Sequence, residues 1–372
     1  MIAHRHLVAW IAALACTAFP GTAGELTWRK TALKLDQLPE EMPAGAREAA
    51  RFWEPWVVEH GYRMDLSADG RALLLSLDDA KGSKRAKQNL ALVEDVLERM
   101  DAVLVRPESA PDKEGSLARD GGAPDRVQAP PESPATVLME MDSVEHHAAA
   151  VDFLVERHDY LKPWGAVART LTGFVLEQPL VAAWQPKAGL KEDWEGESTN
   201  EMVNRLAQLM TLRRIGRLPY WLGMGIAWHA EMEELDGIFC FPYRSGFVSA
   251  SEHGQWDKAL RNRFKSRKEP LAISELTALR RGTFDLEQAQ MAWGAVTFLT
   301  RHHPGALAEI GAELQRNWDE RGRETRADGT WIRIDGFEPS DEDQLAAFER
   351  QVPGFLTELQ AFFVKGKGYK AP

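Results

Sequence analysis

Apolar positions follow a helical period in some stretches of this chain and a two-residue period in others. From Ala46 to His60 they recur with helical spacing, and Pro55 is expected to break or bend that helix. Tyr62 to Leu66 and Ala72 to Leu77 read as two strands joined by a hairpin at Asp69-Gly70. From Lys84 to Leu104 the period is helical again, with Leu90, Val93, Leu97 and Met100 on one face. Pro107 to Pro134 has neither period; with six Pro, several Gly and no aromatic residue it reads as a flexible linker. Ala135 to Met141 is the next strand. Asp142 with Glu145 three residues on is a capping box that opens a helix to about Tyr160. Phe174 to Leu176 and Leu180 to Trp184 are strand-like runs separated by Gln178-Pro179, and Pro179 suggests an edge position for the second. From Thr199 onward helices dominate, with an aromatic loop between Gly237 and Gly254 and one short strand signal at Trp331 to Ile334. There are no internal repeats.

This order predicts an α+β fold, with a small mixed β-sheet followed by a mainly helical half. The expected parts are a leader at 1–24, an α/β region at 25–105, the linker at 106–134 and a larger domain at 135–372. The leader has a short basic start at His4-Arg5-His6, an apolar run from Leu7 to Ala15, and small residues suited to cleavage before Glu25. It predicts secreted or periplasmic export. A lipoprotein modified at Cys16 fits less well, because Ala13 stands where Leu is expected three residues before the cysteine. After cleavage Cys240 would be alone, so no internal disulfide is possible.

The formal charge is −11 over 372 residues, or about −12 once Arg5 is removed with the leader. That balance counts against nucleic acid and against anionic lipid surfaces. No segment is long and apolar enough to span a membrane. Peptide or protein is the partner class left open; the oligomeric state is not legible. No dinucleotide-binding glycine motif, P-loop or G-x-S-x-G elbow is present.

The most informative stretch is STNEMVNRLAQLM, Ser198 to Met210. An H-E-x-x-H helix sets two His at i and i+4 on one face to hold Zn²⁺, beside a Glu that activates the bound water. Here Asn200, Glu201 and Asn204 keep the spacing and the glutamate but lack both imidazoles. Further on come LPYWLGMGIA, Leu218 to Ala227, and QMAWGAVTFL, Gln290 to Leu299. In that order and at those distances the three segments resemble the gluzincin metallopeptidases of the peptidase MA-like group, over about Ala135 to Val364. The resemblance implies a zincin fold. It implies that Asn200 and Asn204 hold the histidine positions, Glu201 the general-base position, and Met224, twenty residues after Asn204, the third-ligand position. Asn and Met are poor Zn²⁺ ligands. The implied protein therefore needs no zinc and is a pseudo-metallopeptidase with a non-catalytic binding or structural role. Zincins pair an extended peptide with an edge strand, which requires no metal. Leu180, Trp184, Trp221 and His229 are the cleft candidates on that reading.

Other readings compete. Ser198-x-x-Glu201 is itself a capping box, with Val203, Leu206, Ala207 and Met210 as the buried face. An active hydrolase with relocated ligands would use His229, Glu231, Glu233 and Glu201. A plain interaction module of the cell envelope would use none of them. The adjacent pairs His146-His147 and His302-His303 suit a surface or helix end. The basic run Lys258, Arg261, Arg263, Lys265, Arg267, Lys268 is a solvated helix face, or a patch for an anionic partner or for the protein's own acids. Trp221, Trp228, Phe239, Phe241, Tyr243 and Phe247 are core and loop anchors.

Overall fold

The computed structural model describes residues 25–104, 135–171, 173–185, 196–240, 255–280, 285–325, 331–333 and 337–368. The linker expected at 107–134 and the loop side chains Phe241, Tyr243 and Phe247 lie outside them, as does the leader.

The first strands are β1 (Glu25–Trp28), β2 (Thr31–Lys34), β3 (Tyr62–Leu66) and β4 (Ala72–Leu77), and β5 (Thr136–Glu140), β6 (Gly173–Leu176) and β7 (Val181–Trp184) complete one sheet. Its order is β2-β1-β3-β4-β5-β7-β6. β1 pairs parallel with β3, β4 with β5, and β5 with β7, while β1–β2, β3–β4 and β6–β7 are antiparallel. The mixed α+β class holds, with a seven-stranded sheet that runs across the interval 105–134 rather than a small one beginning after it.

Each face of the sheet carries a core, and each core draws on residues from both sides of that interval. On one face α1 (Ala44–His60) and α3 (Val144–Arg157) set Trp53, Trp56, Val151 and Leu154 against Leu73, Leu75, Val137 and Met139. On the other, α2 (Ala80–Leu104) and α5 (Gly196–Arg214) cover Leu74, Leu138, Ala182 and Trp184. Strands buried on both faces lose the polar half of their alternation, which is why β4 and β5 read as continuous apolar runs.

α1 continues through Pro55 and stops at Gly61, whose φ of 69° suits glycine and whose N–H bonds Val57. The hairpin at Asp69-Gly70 forms as expected, with Gly70 at φ 76° and its N–H on the Ser67 carbonyl. α3 is capped by Ser143, which accepts from the His146 N–H at 3.1 Å, rather than by Asp142. It ends at Arg157 and is followed by a 3-10 turn (Asp159–Leu161) and α4 (Lys162–Ala168). His147 is fully buried, not on the surface, and its Nε2 lies 3.0 Å from the Ala168 carbonyl.

The helical remainder comprises α6 (Tyr220–Leu235), α7 (Trp256–Ser266), α8 (Ile273–Thr277), α9 (Leu286–His302), α10 (Ala306–Arg321), α11 (Asp341–Gln351) and α12 (Phe355–Lys365). A ribbon of β8 (Arg323–Thr325) and β9 (Trp331–Arg333) lies between α10 and α11 in sequence. α5 and α6 are joined by a short link and pack side by side, with α9 against α6. The α6–α9 approach is close at Gly225, where a Cβ would come within 2.6 Å of the Ala292 carbonyl. No described helix is long and apolar enough to cross a membrane.

The run Leu180 to Trp184 is not an edge. β7 lies between β5 and β6, and the sheet's edge on that side is β6. Pro179 precedes the strand instead of interrupting it, so all of β7's ladder donors are retained.

Candidate functional site

Asn200 and Asn204 stand one turn apart on α5, and both side chains are buried. They converge on the carboxylate of Glu231 on α6, which has no exposed surface. Asn200 Nδ2 donates to Glu231 Oε2 at 2.9 Å, and Asn204 Nδ2 donates to Oε1 at 2.7 Å. Beyond the end of α6 the chain turns back, so that the N–H groups of Phe239 and Cys240 also donate to Oε2, at 2.9 and 3.2 Å. Asn200 Nδ2 donates in addition to the Gly237 carbonyl at 2.8 Å, which can only accept, and so the orientation of this amide is fixed. Asn204 Oδ1 accepts from Gln208 Nε2 at 2.6 Å.

The residue of α6 that meets the two asparagines is Glu231 and not Met224. Met224 packs in the core and Glu231 faces the asparagines. Helix length explains the shift. α5 continues ten residues past Asn204, to Arg214, and the chain returns on α6 from Tyr220. Ten residues of helix rise about 15 Å, and about the same length of α6 is needed to come back level. Eleven residues after Tyr220 is Glu231.

Burial pushes the Glu231 carboxyl from its ordinary 4.5 to about 8, while the hydrogen bonds from Phe239, Asn200, Asn204 and Cys240 pull the other way. Both charge states can be satisfied. With Glu231 ionised, hydrogen bonds run from Gln208 through Asn204 to Oε1. With Oε1 protonated, turning over the two amides reverses that chain, and the acid donates to Asn204 Oδ1. The three donors on Oε2 are unchanged in either state.

A zinc ion requires lone pairs converging from its ligands. Here Asn200 presents N–H, Asn204 presents either N–H or an amide oxygen occupied by the Glu231 proton, and the oxygens of Glu231 are already met by donors. These residues do not fit zinc. Among the described residues no three His, Cys, Asp or Glu side chains stand together as a metal-holding group.

No protein-family model matches the chain, and no curated protein matches it. What the site can do is therefore read from its own geometry.

Glu201 lies on α5 outside this cage. Its Oε2 pairs with Arg205 Nη2 at 2.6 Å, one turn on, at a partly exposed position. α5 begins at Gly196, so Ser198 falls within its first turn instead of preceding it; the Ser198 side chain lies outside the described residues. The described partner of Glu201 is Arg205, one turn on within the helix. Cys240 is buried beside the same group. Burial first, and then the carboxylates of Glu201 and Glu231, push its thiol well up.

The relocated-ligand set does not converge. His229 faces α9, with Nδ1 3.1 Å from Thr297 Oγ1 and Nε2 3.2 Å from Thr300 Oγ1. The Thr300 hydroxyl gives its one proton to the Val296 or Thr297 carbonyl, at 3.0 and 3.1 Å. It therefore accepts from His229 Nε2–H, which leaves Nδ1 to accept from Thr297. That is a satisfied neutral imidazole, and burial lowers its pKa to about 4. Glu233 pairs with Arg301 at 2.7 Å and with Arg99 at 3.7 Å.

The cleft candidates are core residues. Trp184 lies under the helical layer. Trp221 is buried, donates to Gln344 Oε1 at 2.7 Å and stacks on Phe348. Leu180 is half-buried against the same core. The sequence named Glu231 only as a relocated ligand. Its pairing with the asparagines was missed, although the length of the apolar run in α5 held the signal.

Proposed function

We propose that this chain is an exported, catalytically silent relative of the gluzincin metallopeptidases, with a structural or binding role. One observation carries the reading: two side chains at i and i+4 on α5, in an N-E-x-x-N frame, both aim at a single buried carboxylate of the following helix. On this reading the asparagines stand where a zincin has two histidines and Glu231 where it has a third ligand, with N–H donors in place of metal-binding lone pairs. The supporting glutamate, Glu201, is tied to Arg205 and has no activated water to act on. If the protein binds an extended peptide, the strand available for pairing is β6, the sheet's edge beside α5.

The test is zinc stoichiometry and affinity on the untagged protein. The native chain should bind no zinc. The double variant Asn200→His/Asn204→His should gain about one zinc per chain with Glu231 as the third ligand. Adding Glu231→Gln should remove it, while adding Met224→Leu should not. Stoichiometric zinc in the native chain would overturn the silent-site reading. A folded double variant that binds no zinc would overturn the gluzincin relationship.

A further inference from the structure

The net charge counts against an anionic surface only if the charge is evenly spread, and it is not. On α7, Lys258, Arg261 and Lys265 recur at i, i+3 and i+7, a single stripe along the helix. The opposite side of that helix is sealed, because Trp256, Leu260 and Phe264 are buried. Arg261 lies at the junction with the C-terminal turn. Its Nε donates to the Phe363 carbonyl at 3.3 Å, and its Nη2 would lie 3.1 Å from a Cβ at Gly366. That contact brings the exposed Lys365 and Lys367 to the stripe. The only acid on α7 is Asp257, at its first turn.

Elsewhere carboxylates are met chiefly by arginine, as in Arg63–Asp65, Arg99–Glu234, Arg214–Asp101 and Arg267–Glu275. Even within the basic run Arg263 pairs with Glu287. Among the described residues Lys258, Arg261, Lys265 and Lys367 make no ion pair. Four of the five cations in the stripe are lysines, mobile point charges without the planar fork that grips a single carboxylate or phosphate, and such charges suit a plane of many anionic groups. The surface is a convex helix face. Among the described residues the large apolar side chains that are exposed, Val58, Val144, Tyr160, Val167 and Leu171, all lie on other elements. None of these described side chains gives the stripe an aromatic platform for stacking bases, which single-stranded nucleic acid would need.

We infer that the α7 stripe and the C-terminal turn form a docking surface for a bilayer rich in anionic phospholipid. A plane of phosphate headgroups matches a convex row of point charges. Charges on the far side of the protein are screened over a Debye length of about 8 Å in physiological salt, so the acidic remainder does not cancel the stripe. The interaction is peripheral, because no described helix can insert across a membrane. The inference is independent of the zinc-site reading.

The experiment is co-sedimentation of the full chain with vesicles of phosphatidylcholine alone, or with about one third phosphatidylglycerol. Binding should occur only with the anionic vesicles and should vanish by about 0.5 M salt. Each basic side chain near such a surface multiplies the partition coefficient about fivefold, so Lys258→Glu/Lys265→Glu/Lys367→Glu, which removes three of them and adds three repelled carboxylates, should lower it by at least about a hundredfold. A control with the same charge change at exposed lysines elsewhere, Lys34→Glu/Lys84→Glu/Lys87→Glu, should bind as the native chain does. Equal binding to both vesicle types overturns the inference, as does equal loss in the control. So does a DNA duplex that displaces the protein from vesicles at lower phosphate concentration.

Discussion

Glu231 and His229 lie two residues apart on α6 and both are withdrawn from water, yet the two faces of the helix treat them differently. Towards α5, Glu231 meets N–H groups from two asparagines and two backbone amides. Towards α9, His229 meets two threonine hydroxyls that leave it neutral and fully bonded. The first face is built around an acceptor and ties together three stretches of chain. The second accommodates a ring whose two nitrogens each meet one threonine of a single helix. The difference teaches that burial alone does not mark a site; the number and direction of the donors around a buried group do.

The largest effect should come from breaking the first face. Glu231→Ala takes away the acceptor shared by four N–H donors, of which Asn200 retains the Gly237 carbonyl, and opens a cavity, at a cost on the order of 4 kcal/mol, measured by urea unfolding. His229→Gln, which can still bond both threonines, should cost less than half as much. Equal losses would erase the contrast.

The two groups also act oppositely with pH. Folded Glu231 holds its proton to about 8 against 4.5 unfolded, so its contribution is full below pH 4.5 and is lost as pH rises through 8. Folded His229 titrates near 4 against 6.5 unfolded, so its contribution is full above pH 6.5 and is lost as pH falls through 4. The two oppose each other between pH 4.5 and 6.5, and above 6.5 Glu231 acts without His229. Burial also lowers His146, His147, His302 and His303, and these act on the acid side as well. Stability should therefore fall between pH 6.5 and 8, by up to about 1.4 kcal/mol per pH unit, and Glu231→Gln should abolish that fall. A native profile that is flat or rising over this window would show that the donors, not burial, set the charge of Glu231.

The smallest effect belongs to Glu201, the residue that the zinc-helix pattern singles out. Its pair with Arg205 is partly exposed. Glu201→Gln should change stability by less than about 1 kcal/mol. A much larger loss would move Glu201 into the cage's cooperative network.

The fold class and most of the elements were legible in the sequence because periodicity is local: β3, β4, α2 and β5 fall where the apolar spacing puts them. The asparagine pair was legible for the same reason, since i and i+4 share a helix face. Its partner was not. A spacing of twenty residues presumes a shorter first helix, and choosing Met224 over Glu231 required knowing that α5 reaches Arg214. Pro179 points to an edge, but Val181-Ala182-Ala183-Trp184 has no polar alternation, the mark of a strand covered on both faces, and β7 is interior. The single sheet could not be read locally at all, because the β4–β5 pairing bridges the interval 105–134.

That pairing has a consequence for covalent continuity. Ala72 to Leu75 run alongside Thr136 to Met139, and both cores are shared between the segments before and after the interval. A chain severed anywhere between 105 and 134 becomes two polypeptides, neither of which owns a complete interior. Reassembly is then a bimolecular event, and the stability of the severed protein acquires a dependence on concentration that the intact chain does not have. The molecule is in this sense a heterodimer made in one piece.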